Sequence, residues 1–394
     1  MLRLLSASSA RASIWSLWVV VLAIAPLILS GCDSANRPAS AGRARRPPLD
    51  EANSTAAPAP ADPSEELAIK ALEATGAVLV RDNAGQVLEV QFPRGKQFAA
   101  ADLAPLADLK KLRSVQLIDT GIKDDGLEQL QQISSLESLD LRDCPVSDKG
   151  LEQLKSLAKL KALRLSGKNG KCTVSDDGMQ AIGQLKNLRV LALDFLWVSE
   201  TGLSQLKDLA ELQEVYLAGT TIGNEAITVL AQHPKLRVLR LAANQIDGEG
   251  LAALPQLKQL QVLDLSECLQ LTDDALTPLA QLEQLKDLNL WRVNISDQAV
   301  ESLKTITTLE RLNLDNTRLS DQGMDSLRGL TNLKFLHLGS TLITDEGLTH
   351  LTGLTSLEKL VVTRTAVTEA GVMKLKASLP KTEIQRAATD NQDS

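Results

Sequence analysis

Aromatic rings are nearly missing from these 394 residues, which hold one Tyr, four Phe and four Trp, 2% of the chain. A single irregular core would draw on such rings for bulk, so their scarcity argues for many small, similar ridges stacked together. Histidine is as sparse. His233, His337 and His350 lie far apart, and no His-Glu-x-x-His, Gly-rich phosphate loop or Ser elbow accompanies them. No motif supports an enzyme, and no cofactor is expected. Excess positive charge is lacking too. Lys and Arg number 42 against 49 Asp and Glu, a formal charge of −7. This argues against a nucleic-acid partner, because binding to phosphates is driven by Lys and Arg.

Leucine is abundant, and its spacing is regular. An anchor leucine recurs at Leu112, Leu136, Leu160, Leu188, Leu212, Leu236, Leu260, Leu285, Leu309, Leu333 and Leu357, 24 residues apart except for gaps of 28 and 25. A near-fixed period of this size marks a solenoid. Within a unit the period changes. Leu127, Leu130, Ile133 and Leu136 fall every three residues, as on one side of a helical turn. Leu139 and Leu141 then alternate with Ser138, Asp140 and Arg142, the pattern of a strand with one buried face. Between units stand "VSD" or "ITD" segments whose Ser147, Ser175, Ser199, Ser296, Ser320, Thr344 and Thr368 fall where a helix N-cap is needed, with acids following. No unit can bury its leucines alone, so neighbours must stack.

The pattern "LxxLxLxxTxITDxGLxxLxxL" resembles the leucine-rich repeat family over roughly residues 86–380, in the manner of its ribonuclease-inhibitor-like and cysteine-containing helical classes. That resemblance implies an α/β fold: a right-handed solenoid, horseshoe or arc, with a parallel sheet on the concave face and helices on the convex face. It also implies a turn column whose polar side chains bond a neighbouring turn. Here the column includes Thr120, Cys144, Cys172, Thr220, Asn244, Cys268 and Thr317, while Leu196 and Val293 depart from it and place the turn in doubt there. Cys144 and Cys172, in adjacent repeats, could lie within disulfide reach. The pairs at 124–125, 176–177 and 273–274 could be read as calcium ligands but lack the spacing of a calcium loop.

The front of the chain has a different character. Arg3 and Arg11 precede an apolar run from Ile14 to Leu29, which reads as a secretory signal over 1–31; a lone membrane span is the other reading. Leu29-Ser30-Gly31-Cys32 resembles the lipobox of bacterial lipoproteins, which implies lipidation at Cys32 and attachment to a membrane through that anchor only. The expected location is the bacterial cell envelope, facing the periplasm or the cell surface. Removing Arg3 and Arg11 takes the charge from −7 to −9, which argues against the chain lying flat on anionic lipid. Residues 32–63, rich in Pro, Ala and Ser, read as a disordered tether. Residues 64–86 read as an N-terminal cap, 87–380 as the repeat domain of about 11 or 12 units, and 381–394 as a tail, with a closing strand at "KTEIQR".

What remains is surface. Strand alternation turns one set of side chains onto the concave face, and aromatics and Arg are the residues enriched as binding anchors. Tyr216, Arg240, Trp291, Arg311, Asp315, Phe335 and His337 are therefore the candidate ligand-binding residues, densest at Trp291, Arg311, Asp315, Phe335 and His337. The bland alternative is that rings fill a sheet surface. Phe195 and Trp197 read as packing at the rim. The expected function is a non-catalytic protein-interaction scaffold, with a protein partner expected and a glycan possible in its place. The alternative class is an intracellular adaptor resembling the F-box substrate receptors of ubiquitin ligases, although no F-box-like helical module precedes the repeats.

Overall fold

In a computed structural model, residues 62–387 are described. The apolar run at 14–29, Cys32 and most of the segment read as a tether lie outside them. The described chain opens with helix α1 (Pro63–Thr75), capped by Asp62, whose carboxylate accepts from the Ser64 amide at 3.1 Å. An antiparallel hairpin follows, β1 (Val78–Arg81) with β2 (Val87–Gln91). Every later strand adds in sequence order and in parallel. These are β3 (Ser114–Gln116), β4 (Ser138–Asp140), β5 (Ala162–Ser166), β6 (Val190–Asp194), β7 (Glu214–Tyr216) and β8 (Val238–Arg240). Then come β9 (Val262–Asp264), β10 (Asp287–Asn289), β11 (Arg311–Asn313), β12 (Phe335–His337), β13 (Lys359–Val361) and β14 (Glu383–Gln385), the last within "KTEIQR".

Register follows the repeat. Leu288 pairs with Leu312, Leu312 with Leu336 and Leu336 with Leu360, so identical residues stack in files. Each file is fully buried, and with it the leucines of the helical side: Leu127, Leu130, Leu136, Leu139 and Leu141 are all 0% exposed. One continuous apolar cluster runs from Ala68 to Leu379, as stacking of mutually dependent units requires.

The outer segments are shorter and tighter than a conventional helix. They are α-helical turns such as Asp124–Leu130 and Asp148–Glu152, or 3₁₀ segments such as Gln153–Ser156, Gly323–Leu327 and Asp273–Gln281. The cause is legible in the leucine spacing. A 3₁₀ helix has three residues per turn, so side chains at i and i+3 eclipse, and leucines every third position are all aimed inward.

The expected N-caps need correction. Only Ser199, Thr344 and Thr368 of the seven cap their helix through the side chain, and Ser320 is not a cap because its helical segment starts after Gln322. The Ser/Thr and Asp instead couple one repeat to the next. Asp124 Oδ1 accepts from the Ser147 amide at 2.8 Å and its Oδ2 from Ser147 Oγ at 2.5 Å. The same pair of bonds joins Asp148 to Ser175, Asp176 to Ser199 and Asp273 to Ser296. It recurs from Asp297 to Ser320, Asp321 to Thr344 and Asp345 to Thr368. The glycine of "SDxG" makes room for this carboxylate: a Cβ on Gly347 would lie 2.3 Å from Asp321 Oδ1. Where an acid, Asp247, takes the Ser position, the preceding residue is Asn224, which donates to it at 2.7 Å. The rung at Thr272 is missing, because Gly248 stands where it would need a carboxylate.

The turn column survives its two apolar members. Leu196 N donates to Leu193 O at 3.3 Å and Val293 N to Leu290 O at 3.1 Å, the same turn made by Cys144 N to Leu141 O at 3.1 Å. Backbone bonds set the turn, so a side-chain donor is dispensable. Cys144, Cys172 and Cys268 are free, buried thiols, and Cys144 Sγ donates to Leu117 O at 2.7 Å. Burial pushes Cys172 up to about 11 and Cys268 up to about 12. The rim expectation holds for Phe195 and fails for Trp197. Phe195 packs where a Gly219 side chain would sit, whereas Trp197 is 73% exposed because its neighbours Leu196 and Val198 take the two inward positions.

Candidate binding face of the sheet

Alternation along three-residue strands sends the middle side chain into the core and its two neighbours outward. Leu288, Leu312 and Leu336 point in, so Asp287, Asn289, Arg311, Asn313, Phe335 and His337 share the outer face. Trp291 and Asp315 follow two residues after β10 and β11.

Five of the seven candidates come together here. Arg311 Nε lies 3.2 Å from Asp287 Oδ2, and its guanidinium carbon stands 4.5 Å from the Phe335 ring centroid, a cation–π distance. Phe335 and His337 stack, with centroids 6.3 Å apart and planes 9° from parallel. His337 Nδ1 meets Asn313 Oδ1 at 3.2 Å and Asp315 Oδ2 at 3.7 Å. Side-chain hydrogen bonds from Ser340 and Trp291 reach the same Asp315 carboxylate. Arg292 stands over the Trp291 ring at 5.3 Å.

Tyr216 and Arg240 form a second, separate group on β7 and β8. Arg240 bridges two carboxylates, Asp194 at 3.0 Å and Asp264 at 3.3 Å, while the Tyr216 hydroxyl donates to Glu214 at 2.9 Å. All seven side chains are partly exposed and held by neighbours.

Burial dominates the electrostatics. It raises Asp287 to about 6, aided by the Asp264 carboxylate and opposed by Arg311. It raises Asp194 against the pull of Arg240, and raises Asp315 against His337. It lowers His337, against which Asp315 acts in the other direction. Asp194, Asp264 and Asp287 are the residues that reading for anchors missed. Their signal was available, since each lies in the same columns, one or two strands from an Arg.

The face is flat. Hollows of about 340 Å³ and 240 Å³ lie elsewhere, one beside Gln180, Lys186 and Asp208 on the helical side and the other beside Val78, Pro93 and Ile118 at the N-terminal end. Among the described residues no cluster of three or more His, Cys, Asp or Glu could hold a metal ion. The calcium reading of the paired aspartates fails for a positive reason: Asp124, Asp176 and Asp273 already accept two bonds each from the next repeat. His233 is buried with Nδ1 3.3 Å from Leu209 O, and His350 sits by Asp325 at 3.3 Å on the helical side, both away from His337.

Stacked parallel strands, a file of buried leucines and an outer row of short helical turns define a leucine-rich repeat solenoid. The family model described as "Leucine Rich repeat" matches residues 132–155, 232–254, 305–327 and 329–351, so these units of the solenoid are leucine-rich repeats in sequence as well as in fold. Among solved structures it is similar to an internalin (inlF) from Listeria monocytogenes, with a TM-score of 0.59 and 22% identity over 83% of this chain and 95% of that one. It is also similar to the Arabidopsis receptor kinase HAESA, solved in complex with the peptide hormone IDA and the co-receptor SERK1. There the TM-score is 0.52 and the identity 18%, over 78% of this chain and about half, 54%, of that one. At these identities the likeness is one of fold. No curated protein matches the chain.

Proposed function

We propose that this chain is a non-catalytic binding scaffold of the bacterial cell envelope, anchored by lipid on Cys32 and recognising a protein partner on its outer sheet face. The carrying observation is the Asp287–Arg311–Phe335–His337–Asp315–Trp291 assembly on three adjacent strands. It joins aromatic and Arg anchors, the residue types that concentrate binding energy, in a network already ordered before any partner arrives. A row of side chains spread over three adjacent strands suits a macromolecule. The co-crystallised ligands of HAESA, a peptide hormone and a co-receptor protein, agree with a protein partner. Radiolabelled fatty acid incorporated by the chain and lost in Cys32→Ala would support the anchor; equal labelling of both refutes it. A Trp291→Ala/Phe335→Ala chain should capture far less partner from an envelope extract than the parent, and undiminished capture removes the assembly from the site.

A further inference from the structure

A second surface lies on the rim, where each strand turns toward the helical side. This turn is set by stacking: among the described residues nine non-glycines, including Glu267, Arg292, Ser340 and Arg364, hold positive φ of 51–62°, a region costly for L-residues. Their amides donate to the next repeat, as in Ser340 N to Thr363 O at 2.8 Å. The buried turn residue comes next, and the residue after it points to solvent.

Among the described residues seven large apolar side chains are exposed, and three occupy that one solvent-facing position: Trp197 at 73%, Leu269 at 63% and Leu342 at 65%. They stand three repeats apart. Backbone bonds fix the line on which they sit, including Thr221 N to Val198 O at 3.2 Å and Leu342 N to Leu319 O at 2.9 Å. At a strand spacing of roughly 4.8 Å, successive anchors are roughly 15 Å apart.

The same turns carry a charge opposite to that of the whole chain. From the inserted loop onward they hold Lys168, Lys171, Arg292, Arg318 and Arg364 against Glu267, which pairs with Arg292 at 2.6 Å, in a protein of net −7. All five cations are exposed. Asp119 and Asp143 lie in the two turns before the loop, and Lys171 reaches back to Asp119 at 3.0 Å, which leaves Lys168, Arg318 and Arg364 to carry the excess.

We propose that this rim, from the 168–171 loop to Arg364, is an edge that rests on an anionic lipid bilayer. Trp197, Leu269 and Leu342 enter the interface, where indole and apolar groups are favoured, and the Lys and Arg meet headgroup phosphates. The spacing favours lipid over protein as occupant. Protein hot spots cluster in one packed, desolvated patch, whereas these anchors stand singly with Thr221, Gln245, Asn294 and Arg318 at the same position between them. Each can insert alone into a fluid surface. The acidic total charge that argues against flat adsorption does not apply to an edge whose own charge is positive. The inference depends neither on Cys32 nor on the sheet face.

The test uses the full chain carrying Cys32→Ala, with one new cysteine at Leu342, at Leu269 or, as a control on the helical side, at Lys207. Each is labelled with the polarity-sensitive fluorophore NBD; the three native thiols are buried. Vesicles of phosphatidylethanolamine with phosphatidylglycerol are compared with phosphatidylcholine vesicles, and co-sedimentation is scored in parallel. The expected result is a blue shift and a several-fold rise in emission at 342 and 269 on the anionic vesicles, no change at 207, and loss of the response in an Arg318→Glu/Arg364→Glu background. Aqueous emission at both rim sites overturns the proposal, as does an equal shift at 207 or a failure to sediment with anionic vesicles. A rim response to a protein fraction but never to lipid also overturns it, in favour of a protein occupant.

Discussion

The Asp-to-Ser ladder lacks its rung at Thr272, and completing it is a stringent test of how the repeats are coupled. Thr272 has the extended backbone of a working rung, with φ −111° and ψ 176° beside φ −120° and ψ −167° for Ser296. What it lacks is the carboxylate, because Gly248 stands at the Asp position. Gly248→Asp alone is obstructed, since its new Cβ would meet Ala275 Cα and Cβ at 3.3 Å. Ala275 occupies the place of the motif glycine, so Ala275→Gly must accompany it. Two new hydrogen bonds, to the exposed Thr272 amide and hydroxyl, contribute about 1 kcal/mol each after competition with water. Ala275→Gly costs about 1 kcal/mol in backbone entropy. The double variant should therefore gain about 1 kcal/mol, while each single change is neutral or destabilising, giving a coupling of about 2 kcal/mol in a double-mutant cycle. Urea denaturation of the four proteins measures it, and slower amide exchange at Thr272 in the double variant reports the new bond directly. Strict additivity of the two changes would refute the ladder as a source of inter-repeat coupling.

Breaking an existing rung should do the opposite. Asp297→Ala strips the acceptor from the Ser320 amide and hydroxyl, now 2.7 Å and 2.6 Å away, and should cost about 2–3 kcal/mol in the urea midpoint; a loss below about 0.5 contradicts it. Asp287 predicts a pH dependence. Its folded-state pKa of about 6 exceeds the ordinary 3.8, so the native state holds the proton more tightly, and this group's contribution falls as pH rises from about 4 to about 6, by on the order of 3 kcal/mol. Asp287→Asn lacks that component, and parallel stability-versus-pH curves for parent and variant would rule it out. The buried thiols predict that native Cys32→Ala protein reacts with Ellman's reagent only at the rate of unfolding, whereas urea releases all three cysteines at once; fast native labelling would contradict their burial.

The anchor leucines announced the solenoid because each repeat repeats its solution, and a 24-residue period leaves room for little besides a short strand and a tight return. The three-residue leucine spacing also carried the 3₁₀ character of the outer segments, though reading it as a capped helix obscured that. The sheet-face candidates were reachable because outward positions follow from alternation alone. Their division into two groups was not, since Arg240 between Asp194 and Asp264, and Arg311 between Asp287 and Phe335, depend on which side chains meet across adjacent strands. Trp197 was misread for a related reason: whether a ring lies on the rim or projects from it is decided by which neighbours take the inward positions.

The linear order of residues by itself determined that units must stack, which side chains face the core, and that no familiar catalytic motif is present, because each follows from a local period or a local pattern. Only the tertiary structure decided that the "SD" segment is a joint between repeats more than a cap within one, and that scattered exposed apolar residues fall on a single rim line. Both concern contacts between residues 23 or more positions apart, and such a distance closes only when one turn of the solenoid is laid on the next.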